Sequence, residues 1–271
     1  MFLLPGLVIT WYVTSTPIPR SHRIEICNYL FARQSPDDGG WGLHIEGESS
    51  VFGTAMNYTV LRLLGIEAED ERMARARATL WGMGGAVYGP HWGKFWLSVL
   101  GVVEWDVVNP VPPELWLLPD WVPIAPWRWW VHMRQVFLPM SFVWSRKFSH
   151  PPDALTLSLR AELFPQPYDS INFRAHRNSI SPRDNYHPKS LLLNTINTLL
   201  VNVWNPYLRT NALIKRAESW AYELIQREDE NTDFANLGPA NAAMNFLACF
   251  VQEGPDSYAV RRHRDRMADF L

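Results

Sequence analysis

The spacing of apolar residues is the feature that most constrains this fold, because it follows a helical period along almost the whole chain. One stripe runs through residues 188–203 and another through residues 211–226, each with apolar side chains three or four positions apart. No stretch alternates polar and apolar residues for long enough to predict a strand. About ten helices and no sheet predict an all-α fold, and helix pairs stacked as a solenoid or a closed toroid fit better than a four-helix bundle.

Capping residues and glycines place the predicted helices along the chain. They are expected at residues 24–33, 49–64, 69–80, 92–100, 127–144, 153–163, 188–203, 211–226, 240–251 and 258–270. Ser49 or Ser50 is expected to cap the second of these helices and Gly65 to end it. Pro139 is expected to kink or end the fifth. The apolar residues 1–15 are predicted to form a core helix, since they are too short to span a bilayer and lack the basic start of a targeting segment.

Composition narrows the class of protein. Of 271 residues, 47% are hydrophobic and 19% are charged, which supplies a core for one large domain or two modest ones. The formal net charge of −2 creates no field that attracts nucleic acid, so no nucleic-acid partner is predicted. Cys27 and Cys249 each lie in an apolar helical pattern, which predicts two buried, reduced thiols rather than a disulfide.

Residues 91–139 concentrate tryptophan and proline. They hold eight of the 14 tryptophans and seven of the 21 prolines. Residues 101–126 alone contain six prolines and are expected to form an ordered loop with short turns. Many large, flat rings beside rigid turns indicate a shaped apolar surface, such as a pocket wall or a membrane-facing plateau. The alternative is a helical core in which the aromatic rings pack on each other.

The segment at residues 23–42, RIEICNYLFARQSPDDGGWG, ends a predicted helix with turn chemistry. It resembles the glutamine–tryptophan repeat of the triterpene cyclases. Gln34 lies at the helix end, where its amide can satisfy free carbonyls. The ring of Trp41, after Gly40, can cover the helix end and lock the turn against the next helix. We interpret Gln34, Gly40 and Trp41 as a structural brace without a catalytic role.

Four further segments are similar, in collinear order, to the oxidosqualene cyclases, especially the fungal lanosterol synthases. They read DGGWGLHIEGESSVFGTAMNYTVLRLLG, ARATLWGMGGAVYGPHWGKFWLSVLGVVEW, PELWLLPDWVPIAPWRWWVHMRQVFLPMS and NLGPANAAMN. The resemblance implies two α/α-barrel domains, one inserted in the other, with the active-site cavity between them. It implies that residues 1–271 form a single partial α6/α6 barrel, mainly the inserted domain, truncated at both ends relative to the family.

The resemblance also implies an activity and a set of site residues. The family cyclises (3S)-2,3-oxidosqualene to a lanosterol-type or protostane-type triterpene, as an intramolecular transferase that uses neither a cofactor nor a metal. The family's cavity tryptophans match Trp92 and Trp130, and its candidate base for the final proton removal matches His132. The constriction through which substrate passes matches Met133, Val136 and Phe137. This chain has Met133 where the family often has cysteine and Phe137 where it often has tyrosine, which leaves the channel and the product open.

The chemistry of such a reaction explains these residue types. A protonated epoxide opens into a cascade of tertiary carbocations, which must be stabilised without capture by a nucleophile. Aromatic faces do this by cation–π attraction, roughly 0.5–2 kcal/mol or more per ring when desolvated. They also exclude the water that would quench the cation. Imidazole is the side chain that accepts a proton near neutral pH, which suits His132 beside Trp130.

The initiating acid of these cyclases is an aspartate in an Asp-Cys-Thr-Ala-Glu motif, and the 271 residues contain no such motif. We therefore expect the chain alone to be inactive, poorly soluble and dependent on a missing second cyclase domain. The alternative is an independent lipid-binding or interaction module on a degenerate cyclase domain. By resemblance, the partners are an oxidosqualene-like lipid and a monotopic membrane surface, at the endoplasmic reticulum or lipid droplets.

The remaining ionisable residues receive structural interpretations. His44 and Glu46 have no third ligand at a suitable spacing, so no metal site is predicted. Asp120 is expected to belong to a turn. Three histidines in polar surroundings are expected to be solvated, namely His176, His187 and His263. The basic run at residues 261–266 is expected to be the solvated face of the last helix.

Overall fold

The computed structural model describes residues 2–270, apart from the side chain of Ala268, and this part of the chain contains eleven α-helices and no strand. The α-helices are α1 (Leu4–Val13), α2 (Arg20–Ala32), α3 (Val51–Leu63), α4 (Glu71–Gly82), α5 (His91–Val99), α6 (Val131–Arg146), α7 (Ala154–Glu162), α8 (Leu191–Leu199), α9 (Asn211–Asn231), α10 (Pro239–Glu253) and α11 (Tyr258–Arg266). The predicted all-α class is confirmed. Within residues 2–270, none of the helices combines the length and the apolar character needed to cross a bilayer.

The helices pack into two compact units that interleave along the chain. The first unit comprises the chain up to Asn109 together with Ser149–Pro188. The second comprises Pro110–Phe148 and the chain from Lys189 onward. The single partial barrel domain expected over residues 1–271 stays a prediction.

The core of the first unit is built around α3, which is buried on nearly every side. Ser50 caps α3, because its hydroxyl accepts a hydrogen bond from the Gly53 amide at 3.0 Å. Gly65 follows the helix with φ of +91°, a backbone conformation that favours glycine. Helix α1 packs on α3 and is largely buried, which confirms the core helix predicted near the start of the chain.

The core of the second unit lies between α6, α9 and α10. Pro139 was predicted to kink or to end its helix. It does not end the helix, since α6 continues through Pro139 to Arg146. Proline lacks the N–H that would bond the carbonyl four residues earlier. That carbonyl, on Gln135, has another partner, because the Asn241 side chain on α10 donates to it at 3.1 Å.

The loop between α5 and α6 is ordered by short 3₁₀ turns, as its six prolines predict. The turns are Trp105–Val107, Pro113–Leu117 and Pro126–Arg128. Helix α8 continues into a wider, π-helical stretch at Leu200–Leu208, which the sequence did not predict. Pro206 lies in that stretch and cannot form the normal helical hydrogen bond, so a change of helical pitch around it is physically reasonable.

Candidate functional site

The first turn of α6 presents an aromatic ring and an imidazole side by side. Trp130 is the residue before the helix, and its ring centroid lies 4.4 Å from that of His132, with 34° between the planes. Trp130 is 70% exposed, and His132 is exposed as well. An exposed indole of this size is unusual in a packed helical protein, so the pair is a surface available for contact.

The other predicted residues of this region lie along one side of α6. His132 and Val136 are separated by one helical turn, as are Met133 and Phe137, so the four side chains share a face. Met133 is 48% exposed, whereas Val136 and Phe137 are half-buried. Phe137 packs edge-on against Trp129 at 5.3 Å. The second unit thus brings together five of the six residues that the resemblance assigns to the cavity and its channel.

Trp92 belongs to the first unit. It lies on α5, stacked parallel to Phe95 at 6.1 Å and edge-on to Trp96 at 5.5 Å, and it is half-buried. These contacts hold its ring in a fixed orientation. The role of Trp92 as a cavity wall stays a prediction.

The remaining tryptophans of residues 91–139 divide into packing and exposed rings. Trp96 and Trp116 are buried, and the indole N–H of Trp116 donates to Ser141 Oγ at 3.1 Å. Trp127 donates to the Leu118 carbonyl at 3.1 Å. Trp121, in contrast, is 76% exposed. Two of the eight rings are therefore buried in the core, four are half-buried and two are exposed, so neither interpretation covers the whole stretch.

A cleft of about 510 Å³ opens beside these packed rings in the second unit. Trp116, Trp127 and Trp220 contribute to its lining, together with the charged residues Asp120, Arg216 and Glu223. The indole N–H of Trp220 donates to the Trp116 carbonyl at 3.1 Å, so its polar atom is already satisfied. The lining therefore combines aromatic residues with charged ones.

The Gln34–Trp41 turn ties α2, α3 and α4 together. The Gln34 amide donates to the Gly39 carbonyl at 2.6 Å and to the Arg72 carbonyl on α4 at 2.9 Å. Trp41 is fully buried, and its indole N–H donates to the Leu30 carbonyl near the end of α2 at 2.8 Å. The tryptophan, rather than the glutamine, satisfies the carbonyl at the helix end. These contacts are those of a structural element.

Of the three histidines predicted to be solvated, His263 is buried and His176 is half-buried. His263 is 1% exposed, and its Nε2 atom lies 3.1 Å from Asp229 Oδ2. His176 is half-buried against Tyr88, and burial lowers its pKa from the ordinary value. His187 is exposed, as predicted. His263 lies with Val260 on the buried side of a basic helix, so the polar residues beside it in the sequence are not its neighbours in space.

Cys249 is a second buried partner of Asp229, beside His263. Its Sγ atom lies 3.4 Å from Asp229 Oδ2. Burial, reinforced by the Asp229 charge, raises the pKa of the Cys249 thiol well above its usual value. Cys249 is buried and free as predicted, while Cys27 is free but only half-buried. The grouping of Asp229, Cys249 and His263 was missed because residues 20 and 34 positions apart carry no local spacing signal.

Comparison with known proteins identifies the family. The sequence profile of the squalene-hopene cyclase N-terminal domain matches residues 8–271. The chain belongs to this cyclase family. Over all of its 271 residues it is 67% identical to a lanosterol synthase of Aspergillus fumigatus, 59% to one of Gibberella zeae and 43% to one of Saccharomyces cerevisiae. The cyclase-family chain spans only 35–37% of the length of these three relatives.

Proposed function

We propose that the chain supplies one wall of the active-site cavity of an oxidosqualene cyclase. Such an enzyme is an intramolecular transferase that cyclises (3S)-2,3-oxidosqualene to a lanosterol-type or protostane-type triterpene. The observation that carries the proposal is the exposed Trp130–His132 pair on the first turn of α6. The names of the three relatives given above, which are lanosterol synthases, support the substrate class.

In this proposal the aromatic and imidazole groups act late in the reaction. An acid outside these 271 residues protonates the epoxide oxygen, and the C–O bond breaks as ring closure begins. The face of Trp130 stabilises the migrating carbocation. A ring nitrogen of His132 then takes the final proton, so that one C–H bond breaks and a C=C bond forms.

Met133, Val136 and Phe137 define the substrate channel in this proposal. Their side chains are apolar and follow one face of α6. A long hydrocarbon that passes them is therefore removed from water without leaving a polar side chain unsatisfied. The reaction uses protons and carbocations only, so no cofactor is required. The chain alone lacks the aspartate motif and is inactive in this proposal.

A chimera tests the proposal directly. The matching third of the full-length Aspergillus fumigatus lanosterol synthase is replaced by this chain, and the products from oxidosqualene are identified by gas chromatography and mass spectrometry. We expect a tetracyclic triterpene from the chimera and none from the 271-residue chain. His132→Ala and Trp130→Ala in the chimera are expected to lower turnover by at least ten-fold or to release prematurely terminated products.

His187→Ala is the matched control, because His187 is an exposed histidine outside the proposed site. A folded chimera whose product pattern is unaffected by both site substitutions contradicts the assigned roles. Tetracyclic product from the 271-residue chain alone contradicts the predicted inactivity.

The proposal includes a peripheral membrane surface, as expected for a long apolar substrate and for a protein of the endoplasmic reticulum or lipid droplets. Its support is the exposed apolar side of α8 and the π-helical stretch, where Leu191 is 86% exposed and Tyr207 is 78% exposed. Trp121 and Ile124 are further exposed apolar side chains in the same unit. Patches of this kind are rare on monomeric soluble proteins.

Flotation with phosphatidylcholine vesicles measures this association. Replacing Leu191, Leu192 and Tyr207 together by serine is expected to lower the vesicle-bound fraction several-fold. The matched control replaces Leu157, an exposed leucine of the first unit, by serine. An unchanged bound fraction in the triple variant contradicts this surface.

The second candidate is an independent lipid-binding module, which the tryptophan-lined cleft of the second unit favours. A module of this kind would be a monodisperse monomer without detergent, with a cooperative melt. It would also extract an apolar lipid with one-to-one stoichiometry. The cyclase proposal predicts aggregation without detergent, so size-exclusion chromatography distinguishes the two.

A further inference from the structure

Three buried side chains of the second unit place metal-ligand atoms at one point. Asp229 lies on α9, Cys249 on α10 and His263 on α11, and none is more than 2% exposed. One oxygen, sulfur or nitrogen ligand atom from each residue lies within 4.8 Å of the other two. We propose that these three residues bind a zinc ion.

The separations between the ligand atoms match the size of a zinc site. Asp229 Oδ2 lies 3.1 Å from His263 Nε2 and 3.4 Å from Cys249 Sγ. Because the third separation is no more than 4.8 Å, a point equidistant from all three atoms lies at most about 2.4 Å from each, close to zinc bond lengths of roughly 2.0–2.3 Å. Small side-chain movements suffice to admit the ion.

The ligand types also favour zinc among the divalent metals. Thiolate, imidazole and carboxylate ligands together are typical of zinc, whereas calcium and magnesium prefer oxygen ligands alone. The second oxygen of Asp229 already has partners, so a fourth coordination position is left to a water molecule. Asn236 and Asn245 donate to that oxygen at 2.6 and 3.1 Å, so the carboxylate is oriented by its own partners as metal ligands usually are.

The charge of the cluster points to a cation as well. Asn236, Asn245 and Cys249 donate to the Asp229 carboxylate as neutral groups, and His263 compensates its charge only when the imidazole is protonated. Glu228, which is half-buried next to Asp229, adds a further acidic group. A zinc ion held by one carboxylate, one thiolate and one neutral imidazole has no net charge.

The proton balance of binding is defined. Zinc bonds form to Asp229 Oδ2, Cys249 Sγ and His263 Nε2. The S–H bond of Cys249 breaks and its proton leaves to solvent. The proton on His263 Nε2, which faces Asp229, moves to Nδ1, so the imidazole stays neutral with one proton. No oxidant or reductant is involved.

Cobalt substitution tests the site with a readout independent of cyclase activity. The full chain, purified in detergent where needed, is stripped with a chelator and titrated with Co²⁺. We expect one equivalent to bind, with visible d–d bands of a tetrahedral site and a near-ultraviolet thiolate-to-cobalt charge-transfer band. Zn²⁺ should displace the cobalt and raise the melting temperature.

Cys249→Ser is expected to remove the charge-transfer band, and Asp229→Asn or His263→Asn to weaken cobalt binding by at least ten-fold. Cys27→Ser, in the first unit, is the matched control and should retain the full spectrum. Circular dichroism verifies that each variant is folded. The proposal is overturned if the folded wild-type chain binds no metal, or if Cys249→Ser leaves the cobalt spectrum unchanged.

Discussion

The Asn241 side chain on α10 donates a hydrogen bond, at 3.1 Å, to the Gln135 carbonyl that Pro139 leaves without a helical partner. The same asparagine accepts a bond from the Leu237 amide at 2.9 Å, so it also orders the start of its own helix. A proline inside α6 is tolerated because a residue 106 positions away supplies the missing donor. This relationship fixes α6, and with it the Trp130–His132 pair, against α10.

Removing that donor should destabilise the protein. Asn241→Ala is expected to lower the free energy of unfolding by about 1–3 kcal/mol, since the Gln135 carbonyl becomes a buried acceptor without a donor. In a Pro139→Ala background the helical N–H is restored, so the same substitution should cost less, with a coupling of about 0.5–3 kcal/mol. Urea denaturation of the wild type, the two single variants and the double variant completes this double-mutant cycle. Equal costs in both backgrounds would show that the two residues are not coupled.

The buried indole of Trp41 gives a second prediction. Trp41→Phe loses the 2.8 Å bond to the Leu30 carbonyl and leaves a cavity, so a loss of about 2–4 kcal/mol is expected. Trp121→Phe is the control, because this ring is exposed, and its effect should stay within about 0.5 kcal/mol. Thermal and urea unfolding measure both. Similar effects for the two substitutions would contradict a bracing role for Trp41.

The close packing around Gly40 gives a third prediction. A Cβ atom at this position would lie 2.8 Å from the Ser49 Cβ atom and 2.7 Å from Thr54 Oγ1, which itself accepts a bond from the Trp41 amide. Gly40→Ala should therefore cost about 1–3 kcal/mol. Gly82→Ala, at the end of α4 with open space around it, should instead stabilise by about 0.4–1 kcal/mol. Opposite signs in the two variants are the expected outcome, and a neutral Gly40→Ala would refute the packing argument.

The buried Glu162 carboxylate makes stability depend on pH. Burial alone would raise its pKa, but hydrogen bonds from Ser158 and Tyr58 and the Arg62 guanidinium at 2.9 Å hold that pKa below the usual value. A lowered pKa contributes stability above the unfolded value of about 4.3, and that stability is lost as the pH falls through the folded pKa.

Glu162→Gln should accordingly be less stable than the wild type at pH 7, and the difference should shrink below about pH 4 as the wild-type carboxylate becomes protonated. Urea midpoints measured from pH 7 to pH 3 provide the comparison. Glu67→Gln is the control, because Glu67 meets the same Arg62 at 3.7 Å but is largely exposed. A constant difference between Glu162→Gln and wild type at every pH would contradict the assignment.

Much of the candidate site was predictable from sequence, although by resemblance more than by pattern. Helical spacing places His132, Met133, Val136 and Phe137 on one side of a helix whether or not the family is known. The exposure of Trp130 was not predictable, because a tryptophan-rich stretch is equally compatible with a buried core and with an exposed surface. Trp116, from the same stretch, is instead buried, since its neighbours in space leave only 2% of it exposed.

The sequence by itself determined the all-helical class and the starts of several helices. Ser50 caps α3 as predicted, and Asp153 caps α7 at the start of the helix predicted for residues 153–163, because a cap is satisfied within three residues of itself. Tertiary structure alone decided that α6 passes through Pro139 and that His263 turns inward to Asp229. The physical reason is distance along the chain. Local hydrogen bonds join residues that are close in the sequence, so the sequence pattern predicts them. A buried carbonyl or carboxylate is instead satisfied by a side chain that the packing of distant helices brings to it.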